Sequence, residues 1–369
     1  MKIIVVQDHL RSGGTERQSI LLAREFGKRG HATELVTFRP GGALARPEGV
    51  ACRALQPFDT GIDWLAPFLG ARVLGRRPDI VLCMGKTANC YAGRLQSAAR
   101  RRRGTTKVVA TLRAGDRLPG IYYSSVRRAA RVVANSREAG DELVAVHGLD
   151  RGHVSVIHNS LVFPESALGR DDNVRAQLDA GRGTTVLLCV AMFRPSKNQK
   201  ALLEIASGLP KDQDWQLWFV GDGPERAPCA RLASQLGIAG RVRFLGFQAD
   251  PGPYYRAADV AVHASREEAL SNFLIEAQSH GLPAVAYRAL GIQECFVEGR
   301  TGWMLEQGDT EGFRAALALL ASDTPPARSA RADEARAFAR REFDPATQVA
   351  AYIGLFESLL GDSTSTSRR

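Results

Sequence analysis

The sequence predicts an α/β protein built from two domains, each with a doubly wound parallel sheet. Short apolar runs alternate with longer amphipathic segments, which is the pattern of parallel strands joined by crossover helices. The alternation occurs twice and is interrupted by a largely polar stretch from residue 159 to about residue 183. A chain of 369 residues is long enough for two domains that each bury a core.

The first half of the chain contains six predicted strands separated by helical periodicity. They are residues 3–6, 33–37, 79–83, 108–111, 131–134 and 154–157. After the first strand, Gly13 and Gly14 open a helix that continues through Arg29. Glycines at this position allow the backbone to approach an anion closely, but their spacing lacks the full dinucleotide-binding fingerprint. By itself the pair is better explained as a plain turn.

The second half begins with an apolar strand at 186–193, which Arg194 and Lys197 follow directly. Further strands are predicted at 215–220, 259–263 and 284–287 and near 302–305. Ligands of open α/β sheets bind at the carboxyl ends of strands, where two cations would offset the charge on a departing diphosphate. A solvated basic loop is the other interpretation of this pair.

The segment between the strands at 259–263 and 284–287 is the most informative part of the chain. Ser271 and Asn272 have N-cap chemistry before the apolar run of a helix. Glu268 precedes that helix, and Glu276 lies about one turn inside it. A helix N-terminus attracts an anionic phosphate, so the two carboxylates would meet hydroxyl groups and not the phosphate. Glu268 is placed for the hydroxyls of a sugar, and Glu276 for those of a nucleotide ribose. A solvated helix start is the alternative.

Composition narrows the class of protein. Hydrophobic residues make up 44% and charged residues 24% of the chain, as in ordinary globular proteins. No apolar run approaches the ~18 residues of a membrane-spanning helix, and no signal peptide is predicted. The six cysteines show no metal-ligand spacing, so we expect reduced thiols and no zinc site.

Several segments in one order resemble glycosyltransferase family 4, the retaining enzymes of the GT-B fold. They are the strand and glycine loop at 1–17, the strand that ends in Arg194 and Lys197, the runs Phe219-Val-Gly-Asp-Gly-Pro-Glu and Val242-Arg-Phe-Leu-Gly, and the segment 258–287. The resemblance covers nearly the whole chain. It implies two Rossmann-like domains that face each other across a cleft. The acceptor-side domain would be 1–162, the nucleotide-sugar domain 163–342, a crossover helix packing on the first domain 343–360, and a disordered tail 361–369.

The resemblance also implies an activity and a site. The activity is that of a metal-independent hexosyltransferase that retains anomeric configuration and needs no cofactor. The donor would be a UDP- or GDP-linked sugar, and the acceptor a glycan or lipid-linked molecule of surface polysaccharide or lipopolysaccharide biosynthesis. The implied catalytic residues are Arg194, Lys197 and Glu268. The implied donor-binding residues are Gly14, Arg194, Lys197, Phe247, Glu268, Leu270, Ser271, Asn272 and Glu276, with base contacts from the main chain near Arg243 and Phe247.

Three positions depart from the family or stay open. Ala269 stands where many members have glycine. Arg113 stands where some members have a histidine that contacts the donor sugar. We expect it on the acceptor side, where it binds an anionic acceptor or donor group but cannot shuttle protons. His263 is interpreted equally well as a core residue or a site residue.

A nucleotide-sugar epimerase and a non-catalytic membrane-binding scaffold are the alternative functions.

Positive charge is concentrated in the first half of the chain. Residues 1–160 carry 26 Lys and Arg against 13 Asp and Glu, whereas residues 161–369 carry 23 against 26. Many of these cations form a basic cluster that we expect on the acceptor side: Arg100, Arg101, Arg102, Arg103, Arg113, Arg117, Arg127, Arg128 and Arg131. We hypothesise a cytoplasmic protein that docks peripherally on the anionic inner-membrane surface, with solubility alone as the alternative. Nucleic acid is not an expected partner, because no aromatic interleaving or binding motif accompanies the arginines.

Overall fold

The computed structural model describes residues 1–11, 13–45, 47–102, 104–113, 118–163 and 169–365. It divides into two compact units, each with its own parallel sheet. Unit 1 is Met1–Ser160 together with Pro345–Arg369, and unit 2 is Leu161–Asp344. Several residues that entered the sequence predictions lie outside the described residues: Ser12 of the glycine loop, Arg103 and Arg117 of the basic cluster, and tail residues 366–369.

Unit 1 contains a seven-stranded sheet in the order β3-β2-β1-β4-β5-β6-β7. Its strands are β1 (Lys2–Gln7), β2 (Ala32–Thr37), β3 (Ala51–Ala54), β4 (Ile80–Cys83), β5 (Lys107–Leu112), β6 (Arg131–Ala134) and β7 (Val154–Val156). Six of them are the strands that the apolar runs predict. The seventh, β3, was not predicted because it is an edge strand with mostly exposed side chains and therefore has no apolar run.

The helices of unit 1 connect these strands along the chain. They are α1 (Gly14–Lys28), α2 (Leu69–Leu74), α3 (Lys86–Arg101), α4 (Gly120–Val126) and α5 (Arg137–Ala145). The chain adds β2 and β3 on one side of β1 and then β4 to β7 on the other, so the order reverses between β1 and β4. Asp8 marks this point, because its carboxylate accepts hydrogen bonds from the backbone N–H groups of Thr87 (2.9 Å) and Ala88 (2.7 Å) at the start of α3.

Unit 2 contains a six-stranded sheet in the order β10-β9-β8-β11-β12-β13. Its strands are β8 (Thr185–Val190), β9 (Trp215–Val220), β10 (Val242–Phe244), β11 (Val260–His263), β12 (Ala284–Tyr287) and β13 (Gly302–Leu305). Its helices are α6 (Asp172–Gln177), α7 (Gln199–Ser207), α8 (Arg226–Gln235), α9 (Gly252–Ala257), α10 (Asn272–Ser279), α11 (Thr310–Ala321) and α12 (Pro325–Phe343). The strand order reverses between β8 and β11, which pair directly through Val260 and Leu187. Ligands of open α/β sheets bind at such a reversal, outside the carboxyl ends of the strands.

The last helix, α13 (Pro345–Ser365), belongs to unit 1. Val349, Tyr352 and Phe356 are fully buried, and the Tyr352 ring lies edge-on to Phe26 of α1 with 6.2 Å between centroids. The apolar face of α13 therefore completes the core of unit 1. The helix continues past residue 360, so the first residues of the predicted disordered tail are helical. Within the described residues, no helix is long and apolar enough to cross a membrane.

Most members of the basic cluster lie together at one edge of the unit 1 sheet. Arg100, Arg101 and Arg102 end α3, which starts after the carboxyl end of β4 and runs back to the amino end of β5. Arg127, Arg128 and Arg131 likewise lie between the end of α4 and the start of β6. These six side chains therefore lie at the amino edge of the sheet, opposite the ligand-binding carboxyl edge. Arg113, which follows β5, lies at the carboxyl edge.

Candidate active site

The candidate site in unit 2 is formed by the loops that leave the carboxyl ends of β8 and β11. Arg194 precedes a short 3₁₀ helix, Pro195–Lys197, and its exposed side chain makes no hydrogen bond or ion pair with any described residue. The Ser196 carbonyl accepts hydrogen bonds from the Arg266 amide (2.9 Å) and the Ser265 hydroxyl (3.1 Å). These bonds join the two loops and bring the predicted residues of both to one place.

The centre of the site is the Glu268 carboxylate. Its Oε1 atom accepts hydrogen bonds from Lys197 Nζ at 2.5 Å and from His263 Nε2 at 3.0 Å. His263 is buried at the end of β11, and its Nδ1 atom has no hydrogen-bond partner among the described residues. His263 is thus both buried and in contact with Glu268, so it is a candidate for holding that carboxylate in place.

The electrostatics of this group keep Glu268 ionised. Burial raises the pKa of the carboxyl group, but the Lys197 charge and the His263 hydrogen bond outweigh burial and lower the pKa to about 2. A carboxylate whose folded pKa lies below its ordinary value stabilises the folded state above that ordinary value. This contribution is lost as the pH falls from about 4.5 toward 2. At neutral pH, Glu268 therefore accepts hydrogen bonds and does not donate a proton.

The N-terminus of α10 points to the same carboxyl edge. Ser271 is the N-cap residue, and its hydroxyl accepts a hydrogen bond from the Leu274 amide at 3.4 Å while lying 3.3 Å from His263 Nε2. The first turn of α10 contains no acidic side chain, so its partial positive charge is not neutralised from within the helix. The sequence prediction of an N-cap at Ser271 is confirmed, and the cap connects the helix to the Glu268 group.

Glu276 is held from the side of α9. Its Oε2 atom accepts a hydrogen bond from the Tyr255 hydroxyl at 2.7 Å. The Tyr255 ring is fully buried and stacks on His280 with 4.8 Å between centroids and on Phe273 at 6.1 Å. A tyrosine fixed in this way gives the carboxylate one orientation. The sequence analysis missed Tyr255, because nothing in the spacing between residues 255 and 276 connects them.

Two glycines of the loop after β9 are required by close backbone approach. Gly221 has φ +138°, and a Cβ atom there would lie 2.1 Å from the Ala191 carbonyl oxygen. Gly223 has φ +148°, and a Cβ atom there would lie 2.4 Å from the Phe193 carbonyl oxygen. The β9 loop therefore lies against the backbone that leads to Arg194. The sequence showed this Gly-Asp-Gly-Pro run but assigned it no role at the site.

Other predicted donor contacts differ in exposure. Phe247 is 42% exposed beside the β9 and β10 loops, whereas the Leu270 side chain is buried in the unit 2 core, so Leu270 offers a ligand only its backbone. Ala269 is absent from the residues with positive φ among those that the structure describes, so alanine is unstrained where many family members have glycine. No group of three or more potential metal ligands occurs among the described residues.

Two predicted site residues lie in unit 1, at the carboxyl ends of different strands. Gly14 is the first residue of α1, after β1. Arg113 follows β5, where it donates hydrogen bonds to Asn159 Oδ1 and, at 2.6 Å, to the Tyr352 hydroxyl of α13. It has no carboxylate partner among the described residues, and its buried Nε atom has no hydrogen-bond acceptor there. Among the described residues, Arg113 is therefore a positioned cation without a carboxylate beside it.

Comparisons with known proteins match both halves of the chain. A family model described as "Glycosyltransferase Family 4" matches residues 12–161, and one described as "Glycosyl transferases group 1" matches residues 184–323. The lipopolysaccharide core biosynthesis glycosyltransferase LpsE of Rhizobium meliloti is 31% identical over 318 residues, which are 85% of this chain and 87% of that protein. A D-inositol 3-phosphate glycosyltransferase of Rhodococcus opacus is 34% identical over 215 residues, 56% of this chain and 48% of that protein.

Solved structures share the fold over nearly the full length. The crystal structure of HepE from Anabaena in complex with UDP-glucose superposes with a TM-score of 0.80 and 24% sequence identity. The match covers 97% of this chain and 100% of that one. The predicted α/β fold of two Rossmann-like domains is confirmed by this likeness and by the two parallel sheets.

Proposed function

Because this chain belongs to glycosyltransferase family 4 and is therefore a glycosyltransferase, we propose that it moves a hexose from a nucleotide-sugar donor to a glycan or lipid-linked acceptor, with retention of anomeric configuration. One observation in particular supports the donor side. An ionised carboxylate, a half-buried lysine and a capped helix N-terminus meet at the strand-order reversal of unit 2, where ligands of open α/β sheets bind.

The diphosphate of the donor binds at the cationic part of this site. Arg194 and Lys197 supply positive charge, and the first-turn amides of α10 supply hydrogen-bond donors with the positive end of the helix dipole. We also propose that the Gly14 amide, at the N-terminus of α1, donates a hydrogen bond to phosphate. Donors aimed at the leaving phosphate stabilise the charge that develops as the glycosidic bond breaks. No metal ion is required in this scheme.

The transferred sugar binds at Glu268. An ionised carboxylate with a pKa of about 2 accepts hydrogen bonds from sugar hydroxyls and orients the ring. The acceptor hydroxyl then attacks from the face that the phosphate leaves, through an oxocarbenium-like state, and the leaving phosphate takes the acceptor proton. The same low pKa argues against an epimerase, which requires a side chain that exchanges protons with the sugar near neutral pH.

The nucleoside binds at the far end of the donor pocket. Glu276, oriented by the Tyr255 hydroxyl, accepts hydrogen bonds from both ribose hydroxyls, and the half-exposed Phe247 lies beside the base. Asn272 and the Leu270 backbone line the same pocket. We propose a UDP-linked donor, because the similar HepE structure was solved with UDP-glucose.

We assign the acceptor to unit 1 and to the class of lipopolysaccharide or surface-polysaccharide precursors. LpsE, similar over 85% of this chain, acts in lipopolysaccharide core biosynthesis. Arg113 has no carboxylate partner among the described residues and would bind an anionic group of such a precursor, because core sugars and their lipid carriers carry phosphates and carboxylates.

Nucleotide binding is the direct test of the donor site. We expect UDP to raise the melting temperature more than GDP or ADP, since a ligand at a hundred times its Kd stabilises the native state by about 2.7 kcal/mol. The Glu276→Ala variant should lose this shift. A matched control is Glu311→Ala, which removes an exposed carboxylate of α11 in the same unit and should keep the shift. Absence of a shift with every nucleotide and nucleotide-sugar would contradict the proposal.

We also propose peripheral docking on an anionic membrane, on the strength of the positive charge of residues 1–160. Each basic residue near such a surface contributes about 1 kcal/mol at low salt, and the contribution is screened as salt rises. We expect the protein to float with phosphatidylglycerol-containing vesicles at low salt and to be released as the salt concentration is raised. Failure to float at low salt would exclude electrostatic docking.

A further inference from the structure

One short segment of unit 1 exposes an unusual amount of apolar surface. Ten large hydrophobic side chains are exposed in the described part of the chain, and five of them lie between residues 58 and 68: Phe58, Ile62, Trp64, Leu65 and Phe68. Phe58 is 69% and Phe68 is 76% exposed. We call residues 55–68, which connect β3 to α2, the apolar loop. Clustered exposed apolar side chains mark interaction sites, whereas isolated ones are ordinary.

The apolar loop has a fixed internal structure. The buried Gln56 side chain donates hydrogen bonds to the carbonyls of Ile62 (2.9 Å) and Leu65 (2.6 Å) and accepts one from the Thr60 hydroxyl (2.7 Å). The Tyr91 hydroxyl of α3 donates to the Trp64 carbonyl at 2.8 Å. These bonds satisfy loop carbonyls from the inside, so the outward surface can enter an apolar medium without leaving these groups unpaired.

Phe68 has an unfavourable backbone conformation as well as an exposed side chain. It has φ +54°, in the left-handed region that bulky residues rarely adopt, and it stands at the N-cap position of α2. Asparagine or glycine would fit this backbone better. A phenylalanine that is both exposed and left-handed does not stabilise the fold by either property, which is typical of a residue retained for contact with a partner.

The charges around the apolar loop indicate which partner. Its two carboxylates are compensated, since Arg39 pairs with Asp59 and Asp63 at 2.7 Å and Arg11 lies 3.5 Å from Asp63. Three nearby cations have no carboxylate partner among the described residues: Arg72, which donates to the Leu55 carbonyl, and Lys86 and Arg94 of α3. An apolar centre with uncompensated cations beside it complements anionic headgroups above an acyl layer.

We propose that the apolar loop inserts into the surface of an anionic lipid bilayer. The loop follows β3 at the carboxyl edge of the unit 1 sheet, the edge that also carries Gly14 and Arg113, whereas the arginines at 100–102 and 127–131 lie at the opposite edge. Insertion therefore brings the acceptor-side edge to the membrane and identifies the acceptor as a lipid-anchored molecule. The inference deepens the proposed function and rests on it only for the nature of the acceptor, because insertion itself is measured without donor or sugar transfer.

Trp64 provides a direct reporter of insertion. It is 46% exposed, whereas Trp215 and Trp218 are buried and Trp303 is covered by the Arg331 guanidinium at 5.0 Å. Vesicles of phosphatidylcholine and phosphatidylglycerol with brominated acyl chains should quench the fluorescence of the protein and shift its maximum to shorter wavelength. The Trp64→Phe variant keeps an apolar side chain, so it should still float with vesicles but lose most of the quenching.

A second variant removes the apolar contact itself. The double substitution Phe58→Ser/Phe68→Asn should lower the vesicle partition coefficient at least tenfold, because two large apolar side chains no longer enter the acyl layer. Asparagine suits the left-handed backbone at position 68, so the double variant should melt no lower than the parent protein. The matched control is Val146→Ser, which removes a 70% exposed apolar side chain at the end of α5 and should leave partitioning unchanged.

Three outcomes would overturn this inference. The first is unchanged partitioning of the Phe58→Ser/Phe68→Asn variant. The second is vesicle binding that does not quench Trp64 and that the double substitution Arg101→Gln/Arg102→Gln abolishes. This result would make the amino edge of the sheet the docking surface. The third is a dimeric parent protein and a monomeric Phe58→Ser/Phe68→Asn variant, both measured by sedimentation. This result would make the loop a contact between two copies of the chain. Nucleotide-induced stabilisation is independent of all three, so failure of this inference is distinguishable from failure of the donor site.

Discussion

Replacement of Lys197 by Ala is expected to lower turnover about 10²- to 10³-fold, which is the usual loss when one donor to a developing negative charge is removed. Lys197 contacts Glu268 Oε1 at 2.5 Å and ends the short 3₁₀ helix Pro195–Lys197 that follows Arg194. The melting temperature should fall as well, because the buried Glu268 carboxylate loses the charge that does most to compensate it and keeps its hydrogen bond from His263. Initial rates at saturating donor, compared with melting temperatures, measure the two effects separately.

The chain offers a matched control three residues away. Lys200 also pairs with a glutamate, with 2.7 Å between its Nζ atom and Glu225, but the pair lies on the surface of unit 2 and the lysine is 48% exposed. Surface ion pairs contribute little to stability, so Lys200→Ala should change neither rate nor melting temperature appreciably. Equal losses in the two variants would indicate a nonspecific effect, and full turnover in Lys197→Ala would remove this residue from the catalytic group.

The strands of both sheets were predictable because a parallel strand buried on both faces is a nearly continuous apolar run. This signal fails where the side chains of a strand are mostly exposed, which is why β3 was missed although the edge strands β7 and β13 were predicted. It also carries no information about which end of an element a charged side chain occupies. The arginines at the end of α3 lie at the amino edge of the unit 1 sheet, a position that the sequence analysis did not predict.

The candidate site was predictable to the extent that it uses local chemistry. The N-cap at Ser271 and the carboxylates of Glu268 and Glu276 follow from the sequence around one helix. The contact of Lys197 with Glu268 joins residues 71 positions apart, and periodicity is silent about such pairs. The same is true of the hydrogen bond from Tyr255 to Glu276 and of the apolar loop, whose side chains resemble a core segment until burial is known.

Replacement of Glu268 by Gln is expected to lower turnover about 10²-fold, because a neutral amide orients sugar hydroxyls less strongly and no longer compensates Lys197. At neutral pH the variant should also lose about 1–3 kcal/mol of unfolding free energy, because the neutral amide satisfies its partners Lys197 and His263 less well than the carboxylate does. The stability difference should shrink as the pH falls from about 4.5 toward 2, since the parent carboxylate then becomes protonated as well. Denaturant titrations of both proteins across this pH range measure it.

The double variant Lys197→Ala/Glu268→Gln separates the structural role of the pair from its catalytic role. If the two side chains stabilise the fold mainly through each other, the loss of unfolding free energy in the double variant is smaller than the sum of the single losses. Turnover should not recover in the double variant. It should stay at or below the turnover of the less active single variant, since Lys197 acts on the phosphate and Glu268 on the sugar. Additive stability losses would mean that the 2.5 Å contact carries no coupling energy. Recovery of turnover in the double variant would mean that each residue serves only to neutralise the other, and that neither takes part in sugar transfer.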